Sequence, residues 1–307
     1  MSGPHEINVA VAAFERVTVR YGSTLAADDV TLAVPRGGVY ALLGRNGAGK
    51  SSLVRCLLGQ LKPSRGQVTL FGREVWEARA QLMARVGVVP EEPDVPPEMT
   101  AAEAVAFCAR LYPSWDGGGV ARRLERFGVP TTMAVGKLSK GQKRQLALAL
   151  AFGSSPELVV LDDPTLGLDV VARNELYEEL VGELADRGTS VLLTTHDLAG
   201  VERIADRVGV LVEGRLVLDE DLEALKARFR RLRFGASDGD LEKELEELGA
   251  LAAARGTFGF EVVLSRFKEA AFAAVQARTA ASAAELSGMT LEEIFIAVHG
   301  AGKEART

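Results

Sequence analysis

Residues 44–52, Gly-Arg-Asn-Gly-Ala-Gly-Lys-Ser-Ser, limit most sharply what this chain can fold into. The apolar run Val39–Leu43 precedes them and reads as a buried strand, and Ser51–Gly59 follows with the apolar spacing of a helix. A strand, a glycine loop and a helix N-terminus in that order make an anion site. Backbone N–H groups converge there, and the positive end of the helix dipole favours negative charge. Gly44, Gly47 and Gly49, interleaved with Arg45, Asn46 and Ala48, let the backbone curl around phosphates with no Cβ in the way. Lys50 can reach the β- and γ-phosphates, and the Ser51 hydroxyl, with Ser52 beside it, can ligate Mg²⁺. The alternative is a chance glycine turn with a surface lysine. The full G-x-x-x-x-G-K-S pattern in its strand–helix setting favours a nucleoside triphosphate site.

Composition narrows the setting of that site. At 307 residues, 47% hydrophobic and 25% charged, the chain has room for a full core and a length that suggests roughly two domains. A net charge of −6 argues against nucleic acid as a partner, because phosphate contacts want a basic face. Cys56 and Cys108 sit in apolar helical patterns with no metal-ligand spacing, which predicts buried, reduced thiols in a cytosolic protein. The first residues lack a basic n-region and meet Glu15 early, unlike a signal peptide. No apolar stretch approaches the ~18 residues of a membrane helix, so a membrane role is expected only through a partner.

Along the chain, Phe14–Arg20, Val30–Val34, Val39–Leu43 and Gln67–Phe71 read as strands. Val86–Pro90, Leu158–Asp162, Ser190–Thr195 and Val208–Val212 are short β-rich runs between helical patterns. This alternation predicts a largely parallel α/β sheet with an antiparallel portion near the start. From Pro96 to Phe152 the pattern is almost wholly helical, with Ala101–Tyr112 and Val120–Phe127 amphipathic and Pro113 and Gly117–Gly119 breaking between them. After residue 224, Lys226, Arg228, Arg230, Arg231 and Arg233 form a basic cluster. It reads either as a contact for lipid headgroups or nucleic acid, or as a solvated helix end entering a linker, with charge partners in Asp238–Glu247; the second is favoured. Beyond it, Asp240–Leu248, Phe267–Ala277 and Leu291–His299 read as helices and Phe258–Leu264 as a strand.

Two further motifs suit a phosphate site. Leu158–Asp162 is a buried strand that delivers the Asp162 carboxylate to its end, where it can hold Mg²⁺. His196 ends the apolar strand Val191–Thr195, as a turn residue or as a partner for the γ-phosphate. The segment Leu138-Ser139-Lys140-Gly141-Gln142, followed by Lys143-Arg144-Gln145 and an apolar helix, discriminates best. It resembles the signature sequence of ABC transporter nucleotide-binding subunits, and the likeness spans about residues 10–224.

That resemblance implies an α/β fold: a P-loop NTPase, ABC-type nucleotide-binding domain over 10–224, with a mixed sheet and a helical subdomain at about 96–152. A small C-terminal α+β accessory domain would occupy 225–307. It implies ATP and Mg²⁺ as cofactors, a second nucleotide-binding subunit (the same or a different chain) and an integral membrane permease as partners. The subunit would sit on the cytoplasmic face of the cell membrane, held there by that permease. By resemblance Tyr21 stacks on adenine, Asp169 crosses the dimer interface, and His196 is the switch histidine. Ser139, Lys140, Gly141 and Gln142 would reach the partner's ATP, and Ser51, Asp162 and Glu91 would surround Mg²⁺.

Three positions depart from the family pattern. Asp163 stands where a catalytic glutamate is usual, Glu91 where a glutamine is usual, and Lys140 where the first of two glycines is usual. Asp163 remains a carboxylate but is one methylene shorter, which predicts hydrolysis that is present and slow. Together with the tail Met289–Gly300, these departures resemble exporter-type subunits whose permease is a separate chain. A soluble ABC-type ATP switch and a catalytically weak subunit of a heterodimer are the alternatives.

Overall fold

A computed structural model describes residues 10–92, 94–112, 114–234, 249–256, 259–270, 272–273 and 285–304. The chain divides into two compact units, Met1–Asp219 and Glu220–Thr307.

In the first unit, β1 (Ala10–Tyr21) and β2 (Thr24–Pro35) pair antiparallel and are joined by β4 (Arg65–Leu70) and β5 (Arg73–Glu74) in the order β2-β1-β4-β5. The second sheet contains β3 (Val39–Leu43), β6 (Val86–Val89), β7 (Leu158–Asp162), β8 (Ser190–Thr195), β9 (Arg207–Val212) and β10 (Arg215–Asp221). Its order is β10-β9-β3-β8-β7-β6, and β3, β6, β7, β8 and β9 are linked by parallel pairs. Strands buried on both faces are rich in apolar residues: β3 and β7 are apolar almost throughout, and β8 is buried along its length around Val191–Leu193. Parallel pairing also gathers the carboxyl ends of these strands along one edge of the sheet, where α/β proteins place their ligands.

Helix α1 (Lys50–Leu57) follows the glycine loop. The next helix, α2 (Val75–Met83), was not predicted; its start is capped by the Glu74 carboxylate, which accepts from Glu77 N–H. The helical block holds α3 (Ala101–Leu111), α4 (Gly117–Arg126) and α5 (Lys140–Gly153). Thr100 and Glu103 form a reciprocal capping box at α3, and Ser139 and Gln142 form another at α5. Gly117–Gly119 opens α4 instead of breaking the chain, because the Asp116 carboxylate accepts from Gly119 N–H at 2.8 Å and offsets the glycines' poor helix propensity. Helix α6 (Val170–Arg187) and the single turn α7 (Leu198–Val201) complete the unit.

The second unit begins with α8 (Leu222–Arg228) and holds β11 (Arg230–Phe234), β12 (Ala250–Gly256), β13 (Gly259–Leu264) and β14 (Glu285–Gly288), ordered β12-β13-β11-β14 and antiparallel throughout. Helix α9 (Leu291–Glu304) ends the described chain. The basic cluster does place Lys226 and Arg228 at the end of α8, as expected, but a strand and not a linker follows. Its second half is a strand: Leu232 points into the core, while Arg231 and Arg233 alternate to the other face. Its charges meet carboxylates, Arg228 with Glu220 at 2.7 Å, Arg231 with Glu261 at 3.1 Å and Glu293 at 2.9 Å, and Arg233 with Glu261 at 2.8 Å. The proposed partners in Asp238–Glu247, like the expected helix Asp240–Leu248, lie outside the described residues. Among the described residues no helix is long and apolar enough to cross a membrane.

Candidate nucleotide site

The glycine loop leaves β3 at the carboxyl edge of the parallel sheet. Gly47 and Gly49 adopt φ of 81° and 107°. A Cβ on Gly49 would stand 2.1 Å from the Ala26 carbonyl oxygen, so only glycine fits there. Main-chain bonds from Gly214 N to Ala48 O (3.0 Å) and from Leu53 N to Gly49 O (3.1 Å) hold the loop and start the helix. Lys50 folds back over the loop, its Nζ donating to Gly44 O at 2.7 Å and Arg45 O at 3.3 Å. Burial lowers the affinity of this amine for its proton, and the nearby carboxylates Asp163, Asp162 and Glu91 pull the other way. Three carboxylates thus lie near one ammonium, and among the described residues none is in direct contact with it, which leaves the lysine able to meet phosphate.

The neighbouring strands supply the rest. Register pairs Asp162 at the end of β7 with Thr194 on β8, and the Thr194 hydroxyl donates to Asp162 Oδ1 at 2.5 Å. Ser51 Oγ lies 3.4 Å from the same oxygen. A serine hydroxyl and a carboxylate at this spacing fit a small hard cation such as Mg²⁺, which takes few protein ligands and completes its shell with phosphate and water oxygens. Among the described residues there is no cluster of three acidic, histidine or cysteine side chains that would bind a metal by itself.

Asp163, the next residue, is buried and left-handed at φ 49°. Its N–H donates to Thr194 O at 2.8 Å, and its Oδ2 lies 2.8 Å from His196 Nδ1. The Thr195 hydroxyl approaches Oδ1 at 3.4 Å. Tyr21 is 43% exposed, with its hydroxyl 3.4 Å from Ser52 Oγ, so an aromatic face stands beside the loop. Asn46, Gly47, Ala48, Gly49, Lys50, Ser51, Ser52, Glu91, Asp162 and Asp163 line one open cleft of about 440 Å³ with Ala26, within the ~300–1,000 Å³ usual for small-ligand sites.

Ser139, Lys140, Gly141, Gln142 and Asp169 are not among the residues that line this cleft. Ser139 and Gln142 cap α5, Asp169 Oδ1 accepts from Ala172 N at the start of α6, and Gly141 lies against Leu168. Two contributors went unnoticed in the sequence, Thr194, which orients Asp162, and Arg144, whose Nη1 donates to Asp163 O at 2.9 Å and Nη2 to Glu91 O at 2.7 Å. A threonine in an apolar strand looks like ordinary β propensity. Arg144 carries no signal in the sequence, where it stands beside Lys143 as one more basic residue; its burial appears only in the fold.

Comparison with known proteins agrees with this geometry. The family model described as "ABC transporter" matches residues 27–166. The chain is similar to the bacitracin transport ATP-binding protein BcrA of Bacillus licheniformis, 35% identical over 225 residues, covering 72% of this chain and 74% of that protein. It is also similar to the Nod factor export ATP-binding protein I of Bradyrhizobium diazoefficiens, 37% identical over 231 residues, covering 71% and 74%. A solved structure titled as the ATP-binding subunit of an ABC transporter superposes with a TM-score of 0.66 at 29% identity, covering 71% of this chain and 93% of that one.

Proposed function

Because this chain belongs to the family of ABC transporter ATP-binding subunits, which hydrolyse ATP to power transport, we propose that the cleft at the glycine loop is its hydrolytic site and that two such subunits close on ATP to drive a membrane permease. The observation that carries this reading is the convergence of the loop, Lys50, Asp162 and Asp163 at the carboxyl ends of neighbouring parallel strands.

In this reading the loop amides of residues 44–50 and the Lys50 ammonium hold the β- and γ-phosphates, and Tyr21 offers its face to the base. Asp162 and Ser51 hold Mg²⁺, which would neutralise charge on the phosphate oxygens. Asp163 takes the proton of the attacking water. Its carboxylate is kept in one orientation by His196 on Oδ2 and Thr195 on Oδ1. Glu91, which lines the same cleft, senses the bound nucleotide in this reading. Ser139 and Gly141 face the ATP of a second subunit, where the N-terminus of α5 presents its positive dipole end. Lys140 adds a cation there. Similarity to a protein named for Nod factor export supports export as the direction.

The test is steady-state ATP hydrolysis by the full chain with Mg²⁺, with Lys50→Ala as the blank. A rate above the blank that rises more than linearly with protein concentration supports a self-pairing motor. No rate above the blank, with ATP still bound, would overturn hydrolysis by a self-paired chain and leave ATP as a clamp.

A further inference from the structure

Arg144 is 8% exposed, and its guanidinium spends its hydrogen bonds on two main-chain carbonyls, those of Asp163 and Glu91. Burial lowers its proton affinity against the pull of Asp163 and Glu91. A buried cation is an expensive way to fill space, and an apolar side chain of similar length would pack there at lower cost. What an apolar residue could not do is hold two loops at once. Asp163 needs such holding. Its φ of 49° is one that L-residues adopt at a cost, and the orientation of its carboxylate follows its backbone. Thr194 fixes the peptide on its N-terminal side through two bonds to Asp163 N–H, at 2.8 and 3.2 Å. Arg144 fixes the peptide on the C-terminal side. The same guanidinium anchors the backbone from which Glu91 reaches the cleft, yet Arg144 is not among the cleft-lining residues.

We propose that Arg144 is a positioning residue for ATP hydrolysis: from the helix that begins at Ser139, it sets the backbone of Asp163 and of Glu91 together. This rests on the reading above, in which Ser139 faces the partner's ATP. It then gives a physical link between the two sites of the pair. Helix α5 is capped by Ser139 at its N-terminus and bonded through Arg144 to the main-chain carbonyl of Asp163, so a shift of the helix when the partner's phosphate docks moves the Asp163 backbone with it.

The experiment compares the wild-type full chain with Arg144→Met, which keeps length without donors, and Arg144→Lys, which keeps the charge but not the planar fork that spans two carbonyls. Rates are normalised to ATP-binding sites counted with a non-hydrolysable ATP analogue, so that loss of folded protein drops out. The expected result is a kcat about 10²-fold lower in Arg144→Met, since about 1 Å of misplacement can cost that much. KM and analogue affinity should stay within about threefold, and Arg144→Lys should recover part of the rate. A normalised kcat for Arg144→Met within about twofold of wild type overturns the proposal. If Arg144→Met does not fold, a wild-type kcat in Arg144→Lys overturns it equally. A wild-type chain that turns over no ATP would instead overturn the reading on which the proposal rests.

Discussion

The first unit and the second put charged side chains to opposite ends. Around the glycine loop, Lys50 bonds main-chain carbonyls and Asp162 accepts from hydroxyls, so among the described residues neither charge is cancelled by direct contact with its opposite. On β11, Arg231 meets Glu261 and Glu293, and Arg233 meets Glu261, so the fold consumes its own charge. The difference follows from topology. Parallel strands bring chain segments distant in sequence to one edge and leave their last residues facing solvent. An antiparallel sheet sets each strand's side chains across from those of its neighbour, where opposite charges pair. Charge kept free can serve a ligand; charge paired along a sheet serves stability.

The comparison breaks most visibly at Lys50. Lys50→Ala removes the ammonium folded over the loop, and turnover should fall by on the order of 10²–10³-fold, as when a preorganised group for developing charge is removed. Its melting temperature should stay near that of wild type, because the lost bonds go to loop carbonyls and not to a core partner. A hydrolysis assay beside a thermal melt checks both. A variant that melts early and hydrolyses normally would place Lys50 with the fold-consumed charges.

Asp163 gives a smaller effect of opposite sign. The carboxylate is tied to His196 and Thr195 on a backbone fixed on both sides, so its reach into the cleft is limited by its own single methylene. Asp163→Glu lengthens that reach and should raise kcat by up to about 10²-fold with ATP affinity unchanged. A variant no faster than wild type would show that reach is not the limit, and that the short carboxylate already sits where the water is.

These two residues also show what could be read without coordinates. Strands β3, β7 and β8 carry the same bounds in sequence and structure, because strands buried on both faces are apolar runs with polar residues at their ends. The glycine loop was legible because its geometry demands glycine and lysine at fixed offsets. What stayed hidden depends on pairing across distance. That Thr194 orients Asp162 follows from the register of β7 with β8, and the reach of Arg144 to two loops follows from the packing of α5. Helix α2 was missed because its apolar face is weak, with only Val75, Ala78 and Leu82 buried. The tail misled for a related reason: a run of arginines looks like a solvated face until Leu232, buried between Arg231 and Arg233, is recognised as the period of a strand.

In the second unit the effect should appear in stability alone. Arg231 stands at 21% exposure between Glu261 and Glu293, and Arg231→Met takes the cation from Glu293 and leaves Glu261 with Arg233 alone. The thiomethyl stem still packs against the sheet, so a loss of about 1 kcal/mol is expected, near the top of the range for part-exposed pairs. Hydrolysis per ATP-binding site should be unchanged. A rate that falls with Arg231→Met would mean that this sheet reports to the nucleotide site, and the division of labour between the units would fail.

The finest form of the comparison lies on one strand. β7 ends at Asp162, whose carboxylate is left open to the cleft, and is preceded by Glu157, whose carboxylate is closed by Arg85 at 2.5 Å. The Arg85 hydrogen bond holds the Glu157 carboxyl below its ordinary value of 4.5, against a modest opposing push from burial. A carboxylate whose proton affinity is lowered in the folded state contributes stability that is complete above the unfolded value. That contribution is lost as pH falls through the folded one. Both side chains are more than 40% exposed, so solvent screens the pair and Arg85→Gln should cost less than about 1 kcal/mol at neutral pH. Denaturant midpoints of wild type and Arg85→Gln should differ slightly at pH 7 and converge once the medium is acidified past the folded value. Curves that stay parallel into acid would mean that Arg85 stabilises by packing over the Phe71 ring, 3.8 Å from its centroid, and that this end of β7 is held by the aromatic contact and not by charge.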